Sequence, residues 1–362
     1  MGSATRTRGR GDMSVLHVGL AGCGQIARSV HLNILLHLPG VELAALAEID
    51  AQRRAEAHAV APRAAVFSDY REMLAMPELD AVIVCLPNAF HAEAALAACA
   101  QGKHIYVEKP LATNLEDGRR ILSAWRSSGK VGMIGFNYRF NSFYRLLRRQ
   151  VLSGRIGNVI AGRSVFSTMR GNVDGWRDRR REGGGVLLDL SSHHIDLTRF
   201  LFDQEIVAVS ASLRSVHNED DTAILQMRLS GGAFVQSLFS LSTLEEDCFQ
   251  VYGESGKLQV DRYRSFEVEY ATATRGSASL EQLGSSARMF LHAPSLLEKL
   301  RAQGREPSYR VALYHFAEAA RTGQAVSPDL EDGYRSLAVV LASEESAAAG
   351  RLVTVSPGVD SS

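Results

Sequence analysis

Three small residues follow a short apolar run near the start of the chain. Gly22, Gly24 and Ala27 form the pattern G-x-G-x-x-A directly after the apolar residues 15–21, and a helical stretch continues to about Leu38. A pyrophosphate approaches the backbone closely at such a turn, and the helix presents unpaired N–H groups and the positive end of its dipole. Because the motif lies between a strand and a helix, as it must, it predicts a dinucleotide-binding loop.

Glu48 stands at the end of the next predicted strand, residues 41–47. A carboxylate at this position can accept hydrogen bonds from the hydroxyls of the adenosine ribose. The following residue, Ile49, offers no positive charge to a 2′-phosphate, which favours NAD over NADP. Arg53 and Arg54 are close in sequence, so NADP stays open as the less favoured cofactor, and a solvated strand end is the alternative interpretation of Glu48.

Two longer motifs occur further along the chain. The first joins Cys85-Leu86-Pro87-Asn88 and His91 to residues 102–112, which contain Glu108-Lys109-Pro110. The second is the run Gly-Gly-Gly-Val-Leu-Leu-Asp-Leu-Ser-Ser-His at 183–193, followed by Ile195-Asp196. Together they closely resemble the signatures of the glucose–fructose oxidoreductase, inositol dehydrogenase and rhizopine catabolism (Gfo/Idh/MocA) family. The resemblance extends from about Val15 to Val355.

This resemblance implies that Lys109, Asp189 and His193 are the catalytic group. Oxidising a secondary alcohol requires a base for the hydroxyl proton, and histidine, with an ordinary pKa of about 6.5, suits that role near neutral pH. An ammonium can stabilise the developing alkoxide, and Lys109 directly follows a strand, at the carboxyl edge where open parallel sheets bind ligands. Asp189 and His193 are four residues apart, so on a helix they point the same way and Asp189 can orient the substrate or assist the histidine.

The adjacent His193 and His194 leave a second interpretation open, a metal site completed by Asp189 or Asp196. No third ligand at a suitable spacing stands out, and the resemblance implies a reaction without metal, so we expect none.

Two further elements resemble parts of the family. Gly175-Trp176-Arg177 is similar to a segment whose tryptophan and arginine lie near the nicotinamide or the substrate, and Tyr138-Arg139 is similar to an element at the domain junction. Arg177 also begins a basic run with Arg179, Arg180 and Arg181, which could hold a substrate anion or form a solvated loop.

On this basis we expect two overlapping sets of site residues. The expected cofactor contacts are Gly22, Gly24, Gln25, Ile26, Glu48, Leu86, Pro87, Asn88, His91, Glu108, Lys109, Trp176 and Arg177. The expected substrate contacts are Lys109, Tyr138, Arg177, Asp189 and His193. Within the first set, His91 also fits a structural role beside Asn88.

The elements that position these residues change character along the chain. Up to about residue 137, apolar strands at 15–21, 41–47, 65–67, 81–86, 104–107 and 131–136 alternate with helical segments, among them 91–100 and a helix that Asn114 caps and that reaches about Ser128. This alternation predicts a doubly wound parallel sheet, the Rossmann arrangement. Strand-like runs at 206–213, 223–229, 233–241 and 249–252 then predict an open, mostly antiparallel sheet, with helices from about 309 to 350.

Length and composition agree with two domains. The chain has 362 residues, of which 46% are hydrophobic, and its 40 basic and 40 acidic residues balance, so nothing indicates a nucleic-acid or membrane partner. We expect a disordered leader or tag at 1–13, a Rossmann domain at 14–137 and an α+β domain for substrate and oligomer contacts at 138–362. The four scattered cysteines suit the cytoplasm.

The combined interpretation is an NAD-dependent dehydrogenase that interconverts a ring hydroxyl and a ketone. The substrate class covers sugars, cyclitols, aminoglycoside intermediates and nucleotide sugars, and the resemblance implies a homodimer or homotetramer. Two alternatives stay open, a dihydrodiol-type dehydrogenase and an NAD-binding sensor without catalysis. A sensor would tend to lose the proton-transfer residues that this sequence retains.

Overall fold

A computed structural model describes residues 15–169, 175–272 and 306–356. Within these residues, six parallel strands form the first sheet, in the order β3-β2-β1-β4-β5-β6. Its strands are β1 Leu16–Ala21, β2 Val41–Ala47, β3 Ala65–Phe67, β4 Ala81–Val84, β5 His104–Val107 and β6 Gly132–Ile134. The order reverses between β1 and β4, and open parallel sheets bind ligands outside the carboxyl ends of their strands at such a switch point.

Helices connect these strands on both faces of the sheet. A π-helical turn, Ala27–His31, leads into α1 Leu32–Leu35, and the later helices are α2 Ala51–Val60, α3 Tyr70–Leu74, α4 His91–Ala100 and α5 Leu115–Ser128. The side chain of Asn114 accepts a hydrogen bond from the backbone N–H of Asp117, so it caps α5 as the sequence predicted. Gly129, with a φ of 62°, ends that helix in the left-handed conformation that glycine adopts without strain.

The second sheet has eight strands in the described residues, in the order β13-β12-β11-β7-β10-β9-β8-β14. They are β7 Val159–Met169, β8 Ile206–Arg214, β9 Thr222–Leu229, β10 Phe234–Ser240, β11 Ser242–Gly253, β12 Gly256–Asp261, β13 Glu269–Thr272 and β14 Val353–Thr354. All neighbouring pairs are antiparallel except β7 and β10. Helices α6 Ser142–Leu152 and α7 Ser192–Phe202 pack against this sheet and against each other.

Two helices, α8 Pro307–Thr322 and α9 Leu330–Ala349, lie in the C-terminal part of the chain. Helix α8 packs on the first sheet, because Leu313 and Phe316 belong to the same buried cluster as Leu20 of β1 and Tyr106 of β5. The rings of Phe316 and Tyr106 are 5.7 Å apart in an edge-to-face arrangement. A late part of the chain therefore completes the core of the first sheet.

The predicted fold class is confirmed, with differences at the ends of some strands. Residues 85–86 lie beyond β4, and β6 is shorter than the predicted run 131–136. In both places the apolar run extends past the end of the strand into the adjoining loop. The run 249–252 is part of the longer β11. The predicted leader, residues 1–13, lies outside the described residues, and the domain boundary near residue 137 remains a prediction.

Among the helices in the described part of the chain, none combines the length and the apolar character that crossing a membrane requires.

The docking of α8 yields a stability prediction. Phe316 is 1% exposed, whereas Tyr314 of the same helix is 44% exposed. We expect Phe316→Ala to lower the free energy of unfolding by about 3–5 kcal/mol, because it removes a buried ring and leaves a cavity. The matched variant Tyr314→Ala should change it by less than about 0.5 kcal/mol. Urea denaturation measures both values, and equal losses would contradict this packing.

Candidate active site

The glycine loop follows β1 with the geometry that its motif predicts. Gly22 has a φ of +89°, and a Cβ there would lie 2.7 Å from the carbonyl oxygen of Cys85, so a side chain cannot be accommodated. At Gly24 nothing lies within 4 Å of the Cβ position. Gln25 is exposed and Ile26 half-buried where the helix begins. The loop therefore leaves open space above its backbone, which fits the close approach of a pyrophosphate.

Glu48 links the end of β2 to this loop. Its carboxylate, 7% exposed, accepts hydrogen bonds from the backbone N–H of Cys23 at 2.7 Å and of Asp50 at 3.0 Å. Each carboxylate oxygen can accept a further bond, so ribose hydroxyls can still be received. Ile49 is 85% exposed, and Arg54 donates to the carbonyl oxygens of Glu48 and Ile49. The corner that would face a 2′-phosphate thus presents an apolar side chain, while the nearby guanidinium is bound to backbone.

The loop after β4 joins the two halves of the site. Leu86 and Pro87 are half-buried there, and the buried Asn88 donates to the carbonyl oxygen of Gly183 at 2.8 Å. Both ring nitrogens of His91 lie within hydrogen-bond distance of carbonyl oxygens, those of Leu86 at 2.8 Å and of Pro110 at 2.7 Å. His91 therefore ties this loop to the segment that carries Lys109.

Lys109 and Asp189 meet across the domain junction. The Lys109 ammonium donates to the backbone carbonyl oxygen of Asp189 at 2.6 Å and lies 3.2 Å from its carboxylate oxygen Oδ1. Both side chains are only slightly exposed, 14% for Lys109 and 17% for Asp189. Since an ammonium has three N–H donors, one is left for a substrate oxygen. Asp189 lies in the π-helical turn Leu187–Ser191, which continues into α7.

His193 lies on the first turn of α7 and is 7% exposed. Burial lowers the pKa of this histidine well below its ordinary value, and the positive charge of Lys109 lowers it further. The Asp189 charge acts in the opposite direction but does not compensate. The structure thus brings together the ammonium, carboxylate and imidazole that the sequence predicted, with the imidazole held neutral, as a proton acceptor must be.

Glu108 is directed away from this group. Its carboxylate, 6% exposed, lies 2.7 Å from the Nε2 atom of the fully buried His31 and 3.3 Å from the backbone N–H of Lys109. A charged or hydrogen-bonded partner is what allows a carboxylate to be buried. Glu108 therefore anchors the backbone that presents Lys109, and its predicted cofactor contact stays a prediction.

Trp176 and Arg177 form a short 3-10 turn beside the glycine loop. Arg177 lies over the Trp176 ring at 5.2 Å and donates to the side-chain oxygen of Gln25 at 2.8 Å. A Cβ on Gly184 would lie 2.1 Å from the carbonyl oxygen of Arg177, so the glycine run is needed to fold this turn back. Residues beyond the first sheet therefore reach the loop that would hold the pyrophosphate.

In the basic run, Arg180 forms two hydrogen bonds with Glu344, at 2.5 and 2.8 Å, and Arg179 pairs with Glu182 at 2.8 Å. These contacts favour the structural interpretation of both side chains.

The two adjacent histidines diverge. The His194 Nε2 atom lies 3.1 Å from the buried Asp247, while Asp196 pairs with Arg139 at 2.6 Å. Within the described residues no three histidine, cysteine, aspartate or glutamate side chains are grouped to hold a metal ion. His194 and Asp196, which the metal interpretation needed, thus belong to other pairs.

Sequence reasoning missed three residues around the site, His31, Asp247 and Arg262. Asp247 accepts hydrogen bonds from the phenols of Tyr138, at 2.7 Å, and of Tyr144, and it also pairs with Arg262. Asp247 is the third of three consecutive acidic residues, so the sequence did not distinguish it from its neighbours. Nothing in the local sequence showed which residues it would contact.

Two family models cover most of the chain. Residues 16–136 match the NAD-binding Rossmann fold of the Gfo/Idh/MocA oxidoreductase family, and residues 148–355 match the C-terminal alpha/beta domain of the same family.

Curated relatives and solved structures agree with these matches. The chain is 30% identical to the 1,5-anhydro-D-fructose reductase of Ensifer adhaerens, covering 94% of this chain and 99% of the relative. It is 25% identical to the myo-inositol 2-dehydrogenase of Thermotoga maritima, covering 91% and 96%. The WlbA dehydrogenase of Bordetella pertussis, solved with NADH and UDP-GlcNAcA, superimposes with a TM-score of 0.83 at 22% identity, covering 95% and 98%. This last likeness shows the fold alone.

The environment of His193 gives a pH prediction. Because burial lowers its pKa in the folded protein, His193 should stay neutral at pH 6.5, where an ordinary histidine is about half protonated. The unfolded chain binds this proton more readily, so the contribution to stability is present above about pH 6.5 and is lost as pH falls. NMR titration of histidine-labelled protein, assigned with His193→Asn, measures the midpoint, and the urea-unfolded chain is the control. A folded midpoint at or above 6.5 would contradict the buried environment.

Proposed function

Because the chain belongs to the Gfo/Idh/MocA oxidoreductase family, we propose that it oxidises a ring hydroxyl to a ketone with NAD, reversibly. The family membership makes it an oxidoreductase with an NAD-binding Rossmann domain. The proposed substrate class is a sugar, a cyclitol, an aminoglycoside intermediate or a nucleotide sugar. The observation that carries the proposal is the meeting of Lys109 and Asp189 beside His193, at the carboxyl edge of the first sheet.

The three side chains divide the work of alcohol oxidation. His193, neutral in this environment, takes the hydroxyl proton, and its Nε2 atom is the acceptor because Nδ1 is buried. The free N–H of the Lys109 ammonium donates to the substrate oxygen and stabilises the developing alkoxide. Asp189 fixes the ammonium and aligns the substrate hydroxyl. Bound NAD would supply the acceptor for the hydride that leaves the same carbon.

The cofactor residues have the surroundings that a dinucleotide needs. The open backbone at Gly24, in the turn that Gly22 allows, would take the pyrophosphate, and Glu48 would receive the ribose hydroxyls. The exposed Ile49 supports NAD over NADP, since it offers no charge to a 2′-phosphate and Arg54 is bound to backbone carbonyl oxygens. Arg177, held beside Gln25, would cover the cofactor from the second domain.

The names of the relatives support a small polyhydroxylated substrate, because one is a reductase of an anhydro sugar and another a dehydrogenase of inositol. We also propose a homodimer or homotetramer, which light scattering would measure. Apolar side chains on one face of the second sheet support it, since Ile224 and Phe234, which the register of β9 and β10 places on the same face, are 48% and 59% exposed. Four free, buried cysteines support a cytoplasmic location.

A turnover screen tests the proposed reaction. Purified protein is incubated with NAD or NADP and a panel of sugars, inositols, aminoglycoside intermediates and nucleotide sugars, and nicotinamide reduction is followed by absorbance. We expect turnover of at least one of these polyols, faster with NAD. Lys109→Met should lower kcat by at least about 100-fold, because it removes the donor to the alkoxide, with little change in NAD affinity.

The control is Lys130→Met, the same replacement just before β6, at the opposite edge of the sheet, and it should retain activity. If Lys109→Met keeps most of its activity, the catalytic assignment is wrong. If the protein binds NADH but turns over no substrate in the panel, the sensor alternative replaces the dehydrogenase.

A further inference from the structure

The proposed base lacks the hydrogen bond that usually orients a catalytic histidine. Such a ring is commonly fixed by a carboxylate or carbonyl group on its second nitrogen. In His193 the Nδ1 atom is buried and has no hydrogen-bond partner within the described residues. Another contact must therefore hold the plane of the ring.

Aromatic packing supplies that contact. The Tyr138 ring stacks on the His193 ring, with 4.6 Å between the centroids and 21° between the planes. Phe166 meets the same imidazole edge-on at 6.0 Å. Because a stacked pair restricts both tilt and translation, Tyr138 defines where the imidazole lies.

Tyr138 is itself held firmly. Its hydroxyl donates to the Oδ2 atom of Asp247 at 2.7 Å, and the Arg262 guanidinium lies 4.9 Å from the centre of its ring. Tyr138 is 4% exposed and Asp247 is completely buried. A buried phenol bound to a carboxylate and covered by a cation has little freedom to move.

Asp247 is suited to anchor Tyr138. Burial alone would raise the pKa of this carboxyl, but Arg262, and then His194 and Tyr138, hold it well below its ordinary value. The carboxylate thus stays ionised. It accepts hydrogen bonds from His194 of α7, from Arg262 just after β12 and from Tyr138 at the domain junction. Its strand, β11, is hydrogen-bonded on both sides, to β7 and β12, so the anchor is part of the sheet.

We propose that Tyr138 is a positioning residue for His193 and that Asp247 anchors it, so that the second sheet sets the orientation of the catalytic base. This inference rests on the proposed function, in which His193 takes the hydroxyl proton. It assigns Tyr138 an action through the histidine, in addition to the substrate contact that the family resemblance implied.

Two matched substitutions test the inference. Tyr138→Phe and Tyr144→Phe each remove one phenol hydrogen bond to Asp247, but of these two rings only that of Tyr138 stacks on the His193 ring. With a substrate found in the turnover screen, kcat, KM for the substrate, Kd for NADH and the melting temperature are measured for both. We expect Tyr138→Phe to lose at least about threefold more kcat than Tyr144→Phe, with similar Kd and melting temperature.

A third variant separates positioning from a structural role. In a His193→Ala background, Tyr138→Phe should have no further effect on kcat, because the hydroxyl that it removes is bound to Asp247 and affects the reaction only through the missing imidazole. Equal losses from the two phenylalanine variants, or an undiminished effect without His193, would overturn the inference while leaving the proposed function intact. If His193→Ala alone keeps most of the wild-type kcat, the proposed function fails, and the inference fails with it.

Discussion

The structure depends on an ion pair that joins two parts of the chain eighty residues apart. Lys109 comes shortly after β5 of the first sheet, and Asp189 lies at the start of a helix in the second domain. Because both groups are largely removed from water, neither charge is well accommodated unless the other is present. The pair therefore requires the two domains to meet at this point, and it leaves the ammonium with one further N–H donor.

Other polar contacts across the junction also hold the two domains together. Arg139 binds both Asp196 of α7 and Asp332 of α9, and all three groups are mostly buried. Asn88 binds the glycine run, and Arg177 binds the glycine loop. Geometry for hydride transfer tolerates little displacement, so several independent polar contacts between the domains suit a site built from both.

Much of the fold could be predicted from the sequence, because its signals are local. The alternation of apolar strands and helices, the cap at Asn114 and the glycine at 22 each depend on neighbouring residues. Strand ends were predicted less well, since the apolar runs at 85–86 and 131 extend beyond the strands themselves. The packing of Phe316 against the first sheet depends on a contact across two hundred residues, which no local pattern shows.

The residues of the candidate site also differ in whether a local motif points to them. Lys109, Asp189 and His193 were identified through motifs, and the structure brings them together. Asp247 and His31 could not be found, because their importance comes only from what they meet in three dimensions. Glu108 was recognised in its motif, but the sequence could not show that its carboxylate is bound to His31.

The most direct test of the catalytic assignment is a crystal structure with NADH and a substrate identified by turnover. We expect the reacting hydroxyl oxygen to lie within about 3 Å of both the Lys109 Nζ atom and the His193 Nε2 atom, with its carbon facing the nicotinamide. A substrate whose reacting hydroxyl contacts neither side chain would contradict it.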